Sequence, residues 1–166
     1  MKNINGVKFD LISFVLMDMD GVLSDGTLLY LPEGHVVKLF HAHDGYGINR
    51  GRDHGLKFGI ISGKTAVVNK QRAERLKIEE LYENMDNKVD AYEEIRIKYN
   101  LKPENFCFIG DDVFDMPLLD KVAFSCSPPE ALHEVRESVH YVTAAGAGKG
   151  CVREVIDFIL RKQGKI

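Results

Sequence analysis

Two aspartates one residue apart, Asp18 and Asp20, follow directly on the apolar run Phe14 to Met17 and lead into Gly21. Two carboxylates held that close need a compensating cation such as Mg²⁺, or one of them must hold a proton. They could equally be solvated acids of a loop after a strand, and the pair alone leaves both readings open. Two further apolar runs end in the same manner. Lys57 to Ile61 runs into Ser62-Gly63-Lys64, and Phe106 to Ile109 runs into Gly110-Asp111-Asp112, with Asp115 one turn on. Lys88 opens a helical stretch after the short run Leu81-Tyr82.

Taken singly, each has an ordinary explanation. Ser62-Gly63 is a turn, Lys88 is a solvated lysine, and Asp111, Asp112 and Asp115 cap a helix. Taken together they form an inventory of carboxylates, one hydroxyl with a glycine amide behind it, and one ammonium. That inventory suits phosphoryl transfer: acids hold Mg²⁺, while hydroxyl, amides and lysine hold phosphate oxygens. An aspartate can itself be the nucleophile and carry the phosphoryl group. Lys88 at a helix start opposes the helix dipole, a local conflict of the kind found at functional sites. Three adjacent acids also exceed what capping needs.

The elements that must position these residues can be read from periodicity. Phe14 to Met17 is too short for a helix and reads as a strand buried on both faces, with Gly21 permitting a sharp exit. Lys57 to Ile61 and Phe106 to Ile109 read alike. Leu81-Tyr82, Val122 to Ser125 and Tyr141 to Thr143 are shorter strand candidates. Helices are expected from Asp44, as cap, to about Asp53, over Thr65 to Lys77 with Val67, Val68, Ala73 and Leu76 buried, and over Lys88 to Tyr99. Shorter ones are expected over Met116 to Leu119 and near Glu130 to Arg136, and an amphipathic one carries Val152, Val155, Ile156, Ile159 and Leu160. Two apolar runs around Pro32-Glu33-Gly34 predict a β-hairpin over about 27–40. Strands alternating with helices predict a single α/β domain over 1–166, doubly wound and Rossmann-like, with a mainly parallel sheet. In such a sheet, strand ends along one edge form the ligand site.

The bulk numbers agree with one soluble globular domain: 166 residues, 45% apolar and 28% charged. A net charge of −3 gives no general attraction to nucleic acid or an anionic membrane. No apolar run is long enough to span a bilayer. The odd set Cys107, Cys126 and Cys151 reads as buried thiols in a reducing cytoplasm. His35, His41, His43 and His54 fit no zinc spacing and read as surface or hairpin residues. Lys70, Arg72, Arg75 and Lys77 read as a solvated helix face, from which Arg72 could reach an acidic substrate or a neighbouring subunit.

Over essentially the whole chain, these motifs resemble the haloacid dehalogenase superfamily of phosphatases. The matching residues are Asp18-Met19-Asp20-Gly21, Ser62, Lys88 and Gly110-Asp111-Asp112 followed by Asp115. Asp44-Gly45-Tyr46-Gly47-Ile48, the loop Gly146 to Gly150 and Val152-Arg153-Glu154-Val155 resemble its branch acting on eight-carbon sugar-acid phosphates, with nine-carbon sialic-type sugars the alternative. The resemblance implies that Asp18 is nucleophile and metal ligand. It makes Asp20 the acid and base, with its backbone carbonyl on Mg²⁺, and Asp111 the remaining ligand. Asp112 and Asp115 would support from behind, Asp115 by orienting Lys88. Ser62 and Lys88 would hold the phosphoryl group, and Gly63, Lys64 and Arg72 are candidate substrate contacts. Lys64 stands where many relatives carry arginine, and the two are not interchangeable at a forked contact. Between Gly21 and Asp44 there is room only for a hairpin, and between Ser62 and Lys88 only for a helix and a short strand, so no cap domain fits; the resemblance implies a homotetramer built on the hairpins. Two rival classes use similar parts: a phospho-receiver domain, which the second acid Asp20 argues against, and a non-catalytic assembly module, which has no need of the motifs.

Overall fold

Six of the apolar runs lie side by side and parallel. The computed structural model describes residues 1–166, apart from the side chain of Glu33. The strands are β1 (Phe14–Met17), β4 (Lys57–Ile61), β5 (Glu80–Tyr82), β6 (Phe106–Ile109), β7 (Phe124–Ser127) and β8 (Tyr141–Val142), in the spatial order β5-β4-β1-β6-β7-β8. β1 is central: Phe14 stands opposite Lys57 on one side and Phe106 on the other. All four of its side chains are fully buried, which is why the run reads as continuously apolar.

Alternate β1 residues feed two cores. Val15 and Met17 face one, with Ile48 of α1 (Ala42–Asp53), Ala73 of α2 (Val67–Arg75) and Val155, Ile156 and Ile159 of α6 (Cys151–Lys162). Phe14 and Leu16 face the other, with Tyr92 and Ile95 of α3 (Lys88–Lys98), Leu118 of α4 (Met116–Leu119) and Val135 of α5 (His133–Ser138). Helices therefore cover both faces, and every strand's carboxyl end opens at one edge. The expected doubly wound α/β domain is the one observed, and the described residues form no cap domain. Among the described residues, no helix is long and apolar enough to cross a membrane.

The projecting hairpin pairs only two residues a side. β2 (Leu29–Tyr30) and β3 (Val36–Val37) flank a 3-10 turn at Pro32–Gly34. Leu28, Leu29, Tyr30, Leu31, Val37 and Leu39 are exposed, whereas Lys38 is buried and Phe40 packs on the core.

Several expectations need correction. The first helix is capped by His41, whose ring accepts from His43 N; Asp44 is buried and accepts from Gly150 N (3.1 Å) and Arg153 N (2.9 Å) at the start of α6. α2 is shorter than Thr65 to Lys77. Its Val67 is exposed and the polar Asn69 takes the buried place, because Asn69 serves a hydrogen-bond network described below. Val122 continues the turn after α4, its amide donating to Leu118 O, so β7 starts two residues late. α5 starts at His133 because Glu130 instead accepts from Ala147 N at 3.1 Å.

Candidate active site

The hydrogen-bonded ladder of β1 runs one residue past the strand, with Asp18 N donating to Ile109 O at 3.0 Å. That fixes Asp18 at the sheet edge beside the end of β6. Its Oδ1 accepts from Met19 N at 2.6 Å, and its Oδ2 lies 2.9 Å from Lys88 Nζ. Asn87 caps α3 by accepting from Val89 N, which makes Lys88 the first helical residue and turns it inward, 5% exposed. Lys88 Nζ also lies 2.6 Å from Asp115 Oδ1, an ion pair rather than an aligned hydrogen bond, since that oxygen has no hydrogen-bond partner. The other oxygen of Asp115 accepts from Asp111 N (2.8 Å) and Asp112 N (3.2 Å). Asp115 thus grips the β6 loop and Lys88 at once.

Two glycines make room for these acids. Gly21 has φ +84°, and a Cβ there would sit 2.0 Å from Asp111 Oδ2; a Cβ at Gly110 would sit 2.6 Å from Asp115 Oδ2. Asp112 accepts from Val113 N at 2.6 Å and caps the 3-10 turn Val113–Asp115. Ser62, 1% exposed, lies past β4 with its hydroxyl donating to Lys64 O at 3.0 Å.

Asp20 is held at both oxygens. Oδ1 accepts from Ser24 Oγ at 3.1 Å and Oδ2 from Lys38 Nζ at 2.7 Å. Lys38 and its second partner, Asn69, were not singled out by sequence; a lysine inside an apolar hairpin and an asparagine at a buried helix position were the available signals.

These groups surround one cavity of ≈ 380 Å³, lined by Asp18, Asp20, Ser62, Gly63, Lys64, Lys88, Asp111, Asp112 and Asp115, with Met85 and Phe114 at its apolar side. Every motif residue expected at the site is brought together there. Arg72 is not: it lies over the Phe40 ring, 4.8 Å to the centroid, and donates to His41 O. The histidines stand apart from the cavity as well.

Electrostatics single out the acids. Burial pushes Asp18 up from 3.8 to about 6, with Lys88 opposing and Asp115 adding to the rise. Burial, then the charges of Asp18 and Asp115, push Asp111 up to about 7. Burial alone would lower Lys88, but Asp18 and Asp115 overcome it and hold the ammonium above its ordinary value. Oxygens of Asp18, Asp111 and Asp115 lie within 4.8 Å of one another, and Asp111 Oδ1 is buried without a partner. Crowded, partly unsatisfied oxygen donors fit a hard divalent cation such as Mg²⁺. Asp115 is already taken by Lys88 and two amides, leaving Asp18 and Asp111 as the better donors.

A model of the haloacid dehalogenase-like hydrolases matches residues 73–155. The 3-deoxy-D-manno-octulosonate 8-phosphate phosphatase of Escherichia coli K12 is 36% identical over 159 residues, covering 96% of this chain and 85% of that protein. The crystal structure of the enzyme of that name from Yersinia pestis superposes with a TM-score of 0.92 at 36% identity, over 95% of this chain and 85% of that one. That from Moraxella catarrhalis, in complex with magnesium, phosphate and the eight-carbon sugar acid KDO, gives 0.92 at 32% identity, over 95% and 90%. The chain belongs to the haloacid dehalogenase-like hydrolase family.

Proposed function

We propose that this chain is a Mg²⁺-dependent phosphatase that hydrolyses 3-deoxy-D-manno-octulosonate 8-phosphate to the free sugar acid and phosphate, by way of a phosphoryl group on Asp18. It is a phosphoric monoester hydrolase, and the observation that carries the mechanism is a single arrangement. The Asp18 carboxylate is pinned against the buried Lys88, with a second acid, Asp20, facing the same cavity.

Asp18 attacks phosphorus, forming an Asp18 O–P bond as the P–O bond to the sugar breaks. Asp20 gives a proton to the departing sugar oxygen, then takes one from the water that attacks the phosphoryl group and frees Asp18. Lys88 and Ser62 meet the charge on the phosphoryl oxygens, Ser62 by turning its single hydroxyl proton from Lys64 O to the phosphoryl group. Asp115 holds Lys88 in place, and Asp112 shapes the loop that presents Asp111. Asp18, Asp111 and the backbone carbonyl of Asp20 would hold Mg²⁺, which when bound neutralises the crowded carboxylates and the phosphate charge. Gly63 and Lys64 line the sugar side; Arg72 serves the fold or a neighbouring subunit.

The exposed apolar hairpin supports a homotetramer in which hairpins bury one another, since a lone two-stranded hairpin is marginal in water. The three buried, unpaired thiols support a cytoplasmic setting. The domain over 1–166 then needs no cap.

The test is steady-state phosphate release with Mg²⁺ across a panel of sugar phosphates. The eight-carbon 8-phosphate should give the highest kcat/KM. A higher value for a nine-carbon 9-phosphate would move the substrate, and no turnover at all with a stably phosphorylated Asp18 would favour a phospho-receiver. Light scattering checks the assembly: the native chain should read as a tetramer and Val37→Asp as a smaller species.

A further inference from the structure

We propose that Lys38 is a positioning residue for Asp20, tying the acid–base carboxylate to the base of the hairpin. The Lys38 side chain is 1% exposed, so its ammonium has lost its water and must be repaid by acceptors. It has two, Asp20 Oδ2 at 2.7 Å and Asn69 Oδ1 at 2.8 Å. Asn69 is itself fully buried, and its amide nitrogen faces Glu83 Oε1 (2.8 Å) and Lys64 O (3.2 Å). With both acceptors on that side, the Asn69 oxygen can only point at Lys38. Glu83 Oε1 also accepts from Ala66 N at 3.0 Å, anchoring the far end.

The result is a chain, Glu83–Asn69–Lys38–Asp20, that joins the segment after β5, the helix α2, the hairpin and the loop after β1. A buried ion pair is weak evidence for stability, because apolar residues of the same shape do as well. What this one adds is orientation. With Ser24 on Oδ1 and Lys38 on Oδ2, Asp20 cannot rotate out of the cavity. Without Lys38 it keeps one tether and samples poses from which it reaches no leaving group.

This inference rests on the reading of Asp20 as acid and base, and the test separates the two. A proton from Asp20 matters most when the leaving oxygen is strongly basic, as in an alkyl phosphate, and least for p-nitrophenolate. kcat/KM reports the step that transfers phosphoryl to Asp18. Lys38→Met should therefore lower kcat/KM for 3-deoxy-D-manno-octulosonate 8-phosphate roughly ten- to hundredfold, and that for p-nitrophenyl phosphate by a smaller factor. Lys38→Arg should recover part of the loss, and Asn69→Ala, which spares the ammonium, should show the same pattern more weakly. If Lys38→Met does not fold, the latter two variants carry the test. Equal losses on both substrates, or none on the sugar phosphate, would overturn the assignment. Asp20→Asn run alongside should show the same leaving-group bias. If it does not, the acid–base reading of Asp20 falls and takes this role with it.

Discussion

Asp111→Asn should make the metal-free protein more stable at neutral pH while removing its response to Mg²⁺. Asp111 sits beside Asp18 and Asp115, with one oxygen buried and unpartnered, and its carboxyl is pushed from 3.8 to about 7. It therefore binds its proton more tightly folded than unfolded. Between about pH 4 and pH 7 the native state holds more protons, so this group's contribution to stability is greatest at the acid end and declines as pH rises. Asp18, raised to about 6, adds to the same decline. A rise from 3.8 to about 7 corresponds to at most about 4 kcal/mol. Partial solvent screening at this site reduces that to roughly 1–2 kcal/mol. An asparagine relieves the repulsion and can donate toward Asp18, so at pH 7.5 in chelator the variant should melt about 2–8 °C above the parent. At pH 4 the gap should close. Added Mg²⁺ should raise the parent's melting temperature and leave the variant's unmoved. The assay is thermal unfolding by circular dichroism at both pH values, with chelator or Mg²⁺. A variant that melts below the parent in chelator at pH 7.5 would refute the idea that crowded charge burdens this site.

Asp18→Asn should abolish turnover while circular dichroism shows an intact fold; phosphate release from a clean preparation would sink the nucleophile assignment. Asp20→Asn should slow transfer to Asp18 and hydrolysis of the intermediate by about a hundredfold or more, read as burst and steady-state rates in rapid-quench kinetics. Gly21→Ala places a methyl 2.0 Å from the Asp111 carboxylate and forces a positive φ on alanine. It should cost about 1–2 kcal/mol in denaturant unfolding and weaken Mg²⁺ activation, and a neutral result on both would remove the argument from close approach.

Much of this was legible in the chain because its strands are buried on both faces. β4, β6 and β1 begin and end where their runs in the sequence do, since a parallel strand covered by helices on both faces reads as a nearly continuous apolar run. The polar residues that break each run are the site. Other features depend on contacts between distant residues and leave no local trace. Asp44 looks like a helix cap but faces the amides of α6 over a hundred residues on, at Gly150 and Arg153. Lys38 meets Asp20 and Asn69 across separations of 18 and 31 residues, with no periodicity to announce either. Asn69 and Val67 trade the exposure that hydrophobicity would assign them, because satisfying a buried ammonium outweighs burying one valine.

The central place of β1 bears on how the protein comes to exist. β1 is the first strand made, yet its hydrogen-bonding partners on either side are β4 and β6, both made much later. Local contacts cannot hold it; its pairings span long stretches of chain and make for slow folding. On the ribosome, Phe14-Val15-Leu16-Met17 waits with both edges open, a short apolar segment of the kind that seeks any strand it meets. Its shielding on one face comes last, when Val155, Ile156 and Ile159 of α6 emerge. Asp18 therefore gains its place only once β6 has been made, and a product halted before β6 would carry Asp18 without Asp111 or Asp115 and leave one edge of that apolar segment unpaired.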